Sequence, residues 1–328
     1  MAGRRTNAAL GVLLAVALAT GVGMFAVGSG WNRWWTVAHG VAGVAVVALA
    51  PWKSLIVHRG LRRRGVGASI LSLALAVALI VVLATGFAHA LGQRELGGLT
   101  AVQVHVGAAV VVLVLGVAHV AVRPQRLRRA DLSRRTVLRA GALAAGAAAG
   151  WGVVRILGAD RRGTGSIEVG SDDPRSMPVT QWLFDEVPAV DVVRWRLDVA
   201  GRQWSYAELL AAEGADDELT AVLDCTGGWW ASQEWRGVRL DHLLGPALDG
   251  AASIAVRSVT GYTRRFPAAD ASRLWLATDV AGEALSPGHG FPARLVAPGR
   301  RGFWWVKWVT SVEPSDRPWW WQSPFPLA

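Results

Sequence analysis

LDCTGGWW (Leu223–Trp230) holds the only cysteine of a 328-residue chain. A single thiol cannot form an internal disulfide. Cys225 is therefore a buried filler, a nucleophile or a metal ligand, and the rest of the sequence has to choose. The stretch lies in the more polar half of a chain that is 52% hydrophobic, with a mean hydropathy of +0.32 and only 18% charged residues. That contrast sets the architecture.

The net charge is +10. Its arginines sit in short runs beside long apolar segments: Arg4-Arg5, Arg59 with Arg62-Arg63-Arg64, and several between Arg123 and Arg139. Such runs act as topology signals rather than as a phosphate-binding face, which excludes nucleic acid as the partner. Four segments of about 20 residues, the length that spans a bilayer, run near Ala8–Gly28, Trp35–Val57, Ala68–Leu91 and Ala101–Val122. A fifth, rich in Ala and Gly, covers Val137–Leu157. With alternating helices, all three basic runs fall on the cytoplasmic side. The expected chain is a multi-pass protein of a bacterial cell membrane, with everything beyond Ala159 extracytoplasmic. It divides into a four-helix transmembrane domain (1–124), a basic loop with an anchor helix (125–160) and an exported domain (161–328).

Ser133-Arg134-Arg135-Thr136-Val137-Leu138-Arg139, leading into that weakly apolar fifth segment, resembles the bacterial twin-arginine export signal. The resemblance implies passage through the twin-arginine machinery with a cofactor already bound, the helix staying as an anchor.

Five of the seven histidines lie in the membrane half: His39, His58, His89, His105 and His119. Ionisable residues at membrane depth are costly and usually functional. His105 and His119, 14 residues apart on one helix, are separated by about 21 Å on nearly the same face. That arrangement suits axial ligation of two stacked haems. His39 is expected to pair with His105 at an outer haem and His58 with His119 at an inner one, with His89 competing for the outer site. His39 and His58 are about 100° apart on an ideal helix, so a kink at Pro51 is needed to align them. The segment resembles the b-type cytochrome bundles that partner exported oxidoreductases, which implies one or two haem b groups and exchange with the membrane quinone pool.

The exported half alternates strand-like pieces (Val193–Val199, Ser253–Val259, Trp304–Val309) with turns. Helices are predicted over Tyr206–Ala212, opened by a Ser205/Glu208 capping box, and over Leu240–Leu248. The pattern is α+β, with no phosphate loop and no dinucleotide fingerprint.

LDCTGGWWASQEWRGVRLDHLL (Leu223–Leu244), GYTRRFP (Gly261–Pro267) and HGFPARLVAPGRRGFWWVKWVTSVE (His289–Glu313), preceded by WRLDVAGRQWSYAELL (Trp195–Leu210), resemble in order and spacing the signatures of the sulfite oxidase family of molybdopterin enzymes. The resemblance implies a sulfite-oxidase-type molybdopterin-binding fold with Cys225 as the thiolate ligand of molybdenum, in keeping with soft-ligand chemistry. It places His289, Arg294 and Lys307 on the pterin and its phosphate, with Trp305 and Val306 contributing backbone groups. Thr180, Gln181 and Trp182 fall on the early cofactor segment, and Ser258 is a further polar candidate. Arg257, Arg264 and Arg265 are candidates for an anion-attracting entrance. The layout is similar to exported bacterial reductases of this family, so the expected activity is oxygen-atom transfer, with an oxidised sulfur or nitrogen compound as substrate. Sulfite-type oxidation, with electrons running inward, is the alternative within the family. A non-catalytic membrane haem protein with an exported binding domain is the alternative outside it.

Overall fold

The protein is seen here in a computed structural model that describes residues 2–27, 32–64, 69–124, 131, 133–181 and 186–323. The chain forms two units, one of Met1–Phe25 and Gly30–Ile167, the other of Ala26–Ser29 and Glu168–Ala328.

The first unit is built from α1 (Ala2–Ala26), α2 (Asn32–Arg64), α3 (Ile70–Ala90), α4 (Ala101–Val122) and α5 (Arg134–Leu157). All five are long and apolar enough to cross a membrane. Two short strands, β1 (Glu95–Leu96) and β2 (Leu99–Thr100), join α3 to α4 through Gly97-Gly98, both at positive φ, the backbone that a tight hairpin requires. Thr100 and Gln103 then close a capping box that starts α4. α3 packs along α4, and α5 packs against α2 rather than standing apart as a lone anchor. The cause is steric: a side chain at Gly40 would overlap the Trp151 ring, and one at Gly150 would press on Val44. Small residues let apolar helices approach closely.

In the second unit the strands are β3 (Ile167–Glu168), β4 (Leu197–Val199), β5 (Arg202–Trp204), β6 (Glu218–Asp224), β7 (Trp229–Arg239), β8 (Ser253–Ser258), β9 (Thr263–Pro267), β10 (Trp275–Val280), β11 (Glu283–Ala284), β12 (Arg294–Val296) and β13 (Val309–Ser315). One sheet runs β11-β10-β7-β3, with β6 added on β7 and β12 on β10. The other runs β5-β4-β13-β8-β9, antiparallel except for the β4–β13 pair. Trp235, Leu197, Ile254, Phe266, Leu276 and Leu295 are fully buried in one core.

Local chemistry explains most of these elements. Ser205 and Glu208 form the expected capping box, and α6 spans Tyr206–Leu210. The second expected helix splits: α7 (Leu240–Leu244) stops where Gly245 turns to φ +47, and a 3₁₀ turn completes Gly245–Leu248. The expected strand at Trp304–Val309 is not formed. Gly302–Trp304 is a 3₁₀ turn, Trp308 takes φ +53, and pairing begins only at Val309. Aromatic content there reflects core packing, not strand geometry.

Candidate functional site

β6 and β7 form a hairpin whose register ends at Asp224 opposite Trp230. Cys225 opens the connecting loop. Its N–H donates to the Trp229 carbonyl at 2.8 Å, and the Gly228 N–H donates back to the Cys225 carbonyl at 3.2 Å. Gly228 sits at φ +87, which a residue with a side chain adopts only under strain. The Gly227 N–H points at the sulfur, 3.4 Å away. Behind the loop, a buried Arg301–Asp224 ion pair fixes the preceding residue, and Arg301 also donates to the Cys225 carbonyl at 3.1 Å. Gly302 lets that segment approach, since a side chain there would lie 3.0 Å from Cys225 Cα.

A second loop supplies cations. Ser286 caps the 3₁₀ turn Pro287–His289, and Gly290 follows at φ +111. A side chain on Gly290 would meet Arg294 and Lys307, so glycine is what allows both to gather there. Arg294 is 1% exposed. It donates to the His289 carbonyl at 3.0 Å and lies over the rings of Trp235 and Trp305. Its Nε is buried without a partner, as is Gln181 Nε2. Lys307 donates to the carbonyls of Gly288 (2.7 Å) and Thr180 (3.0 Å). Neither cation has a carboxylate partner among the described residues.

Burial pushes Arg294 down to about 10 and Lys307 down to about 7. The charge of Arg294 adds to the effect on Lys307, and a negative Cys225 sulfur opposes both shifts. His289 falls to about 4, chiefly by desolvation and then by Arg294 and Lys307. Its Nε2 lies 3.0 Å from the Met177 carbonyl. A carbonyl only accepts, so that nitrogen carries the hydrogen and Nδ1, 2.8 Å from Ser286 Oγ, accepts. The ring is neutral at pH 7.

Cys225, His289, Arg294 and Lys307 thus come together, with Thr180 joined through Lys307 and through the Trp229 indole (2.9 Å). The Val306 carbonyl accepts from the Leu295 N–H, and the Trp305 indole donates to the Arg300 carbonyl at 3.2 Å. Trp305 also walls Arg294. Trp182 lies outside the described residues. The Ser258 hydroxyl is taken up in a turn with Thr260. The arginine entrance does not form as one patch. Arg264 is buried under Tyr262, Phe303 and Trp304, whereas Arg265 and Arg257 lie on the opposite face, because neighbouring strand residues alternate sides. Asp224 and Arg301 are participants the sequence reading missed. The adjacency of Asp224 to the lone cysteine was the available signal.

This set suits a bulky anionic ligand that coordinates through a thiolate. Residues 184–322 match the family model described as the oxidoreductase molybdopterin binding domain. Residues 184–322 thus form an oxidoreductase molybdopterin binding domain. A stretch of 42 residues is 52% identical to nitrate reductase [NADPH] of Mycosarcoma maydis, covering 13% of this chain and 4% of that protein. The crystal structure of the sulfane dehydrogenase SoxCD from Paracoccus pantotrophus aligns over 40% of each chain at 26% identity, with a TM-score of 0.36. The chain therefore spans less than half of either relative's length. The molybdopterin-binding domain fits its cofactor on its own chemistry: one soft ligand, a buried and a half-buried cation without a carboxylate partner among the described residues, and two orphaned donors.

In the helical unit the rings of His39 and His105 meet edge to face, 5.8 Å apart. His39 Nδ1 lies 2.9 Å from the Ala17 carbonyl and His105 Nδ1 lies 2.8 Å from that of Val82. Each Nδ1 therefore carries the hydrogen and each Nε2 keeps its lone pair, the usual arrangement for a metal-ligating imidazole. Gly21 and Gly86 leave room beside the rings, where a side chain would come within 3.3 Å and 2.9 Å of the respective Cε1. His89 Nε2 is taken by the Gly165 carbonyl at 3.0 Å. His119 lies 3.4 Å from Ser72 Oγ, and His58 is exposed.

Proposed function

We propose that this protein is a membrane-bound molybdopterin-dependent oxidoreductase that reduces a small S-oxide or N-oxide with electrons from the quinone pool. Buried Arg294 and half-buried Lys307, neither with a carboxylate partner among the described residues, carry the reading beside Cys225. Uncompensated cations in a protein interior call for an anion, and Arg and Lys bind phosphate by charge-assisted hydrogen bonds. When bound, the molybdenum cofactor supplies oxygen-atom transfer, a two-electron exchange, with Cys225 as the protein's thiolate ligand.

The chain's own groups define how that cofactor is held. Gly227 and Gly228 let backbone approach it, and the Arg301–Asp224 pair fixes the Cys225 carbonyl. Arg294 and Lys307 would neutralise the phosphate, Gln181 and Thr180 would offer polar groups to the cofactor, and neutral His289 would offer a polar but uncharged wall. In the helical unit, the open Nε2 atoms of His39 and His105 favour a single bis-histidine haem b, which supplies one-electron exchange with the quinone pool. The basic flanks and the twin-arginine-like stretch favour an extracytoplasmic catalytic domain that crosses with its cofactor in place.

The test is elemental analysis of detergent-purified protein from a host that makes the cofactor, followed by turnover in both directions. We expect one molybdenum and one iron per chain, with quinol-dependent loss of an S-oxide or N-oxide. Oxidation of sulfite without oxide reduction would reverse the direction. Folded, exported protein without molybdenum would overturn the assignment.

A further inference from the structure

Among the described residues of this domain, Trp319, Trp320 and Trp321 are exposed, whereas the other tryptophans are buried or half-buried. Trp195, Trp229, Trp235, Trp304, Trp305 and Trp308 are all under 10% exposed, whereas Trp320 and Trp321 are 66% and 70% exposed. These two are stacked, with centroids 6.5 Å apart and planes 10° from parallel.

The segment that displays them is firmly held. The Trp321 N–H closes a turn onto the Pro318 carbonyl. Gln322 reads the β9 edge in both directions, accepting from the Arg265 N–H at 2.9 Å and donating to the Arg265 carbonyl at 2.8 Å. The buried Arg264 donates to the Ser323 carbonyl at 2.7 Å, and Ser253 donates to that of Arg317 at 2.6 Å. Arg300 lies over the Trp319 ring, and Arg317 is exposed at the start of the turn. The indoles are thus presented to the surroundings by a braced turn, which a soluble surface gains nothing from.

We infer that Trp320 and Trp321 form an interfacial foot that seats the catalytic domain on the headgroup region of the bilayer holding its own helices. The inference rests on the membrane-spanning reading of α1–α5. Lipid is the occupant because the chain itself supplies it: only ten residues separate the end of α5 at Leu157 from the start of the catalytic unit at Glu168. Even a fully extended linker of that length reaches only about 35 Å. Indole suits this depth, having an apolar body and one N–H donor for lipid carbonyls and phosphates. An exposed arginine beside it suits the phosphate layer.

The test places nitroxide spin labels on full-length protein in phosphatidylcholine–phosphatidylglycerol nanodiscs, at Trp320→Cys and, separately, Trp321→Cys. The wild-type protein, whose only cysteine is buried, supplies the unlabelled background. Val193→Cys, 79% exposed in the same domain, is the solvent control, and Val120→Cys, 65% exposed on α4, reports on the spanning reading. At 320 and 321 we expect broadening by oxygen to persist and broadening by a water-soluble nickel chelate to be lost, as at 120 and opposite to 193. Labels that the nickel chelate reaches as freely as 193, with 120 protected, would overturn the foot while leaving the helices in the bilayer. Labels closed to both reagents would assign the patch to a protein contact instead. A label at 120 open to nickel would show that the spanning reading itself had failed.

Discussion

Cys225, Lys307 and His289 carry the sharpest consequences of single side chains. Cys225→Ser keeps the loop's size but removes the soft donor, so turnover should vanish and any residual molybdenum should show no cysteine sulfur in its X-ray absorption spectrum. Lys307 is held near pH 7 in the folded protein against 10.5 unfolded, so the unfolded chain binds more protons between those values. Stability of the cofactor-free protein should therefore rise from about pH 7 to 10.5. Lys307→Met should flatten that rise, because the titrating group is gone. It should also lower the molybdenum content. His289 has the same sign at lower pH: the stability conferred by its neutral ring is present above about 6.5 and is lost as pH falls through about 4. Denaturant titrations of the wild type and of Lys307→Met across pH measure these effects, the low-pH limb reporting His289 in both. Both depressions come first from burial and then from the neighbouring cations, a cost that an anion in the site would relieve.

At the scale of elements, the hairpin β6–β7 and the loop at Gly290 do the positioning, and glycine decides both. Gly237, where β7 crosses β10, has no room for a side chain. One placed there would lie 2.1 Å from the Leu276 carbonyl and 2.6 Å from Ala277 Cα, both backbone atoms that cannot step aside. The register of the pair shifts just beyond, between Ala277 and Asp279. Gly237→Ala should cost about 3 kcal/mol or more, at the upper end of overpacking penalties, read as a lower denaturation midpoint with an unchanged slope. The sequence displayed turn glycines such as Gly97-Gly98 and Gly228 through their neighbours. It gave no sign of Gly237, whose constraint comes from a strand about forty residues away. The missed break at Trp304–Val309 has the same origin. Aromatic and β-branched residues favour strands only on average, and here they fill a core around a backbone that turns at Trp308.

For the whole molecule, the decisive arrangement is an apolar five-helix unit on the same chain as a molybdopterin-binding domain. If His39 and His105 hold the haem, alanine at either should abolish the Soret band of purified protein, while His58→Ala should leave it at full intensity. Loss on His58→Ala alone would reassign the ligands. Periodicity and charge runs in the sequence by themselves determined five apolar helices, an α+β distal half and the special status of the lone cysteine. These features are local: hydropathy, capping pairs and turn glycines act over a few residues. Ordered motifs extended that reading to His289, Arg294 and Lys307. Only the tertiary structure decided that these cations gather with no carboxylate partner among the described residues, that Arg301 and Asp224 brace Cys225, that Arg264 is buried rather than at an entrance, and that His39 rather than His58 meets a second histidine. Each depends on contacts between distant segments, and burial, desolvation and steric exclusion exist only once the chain has brought those segments together.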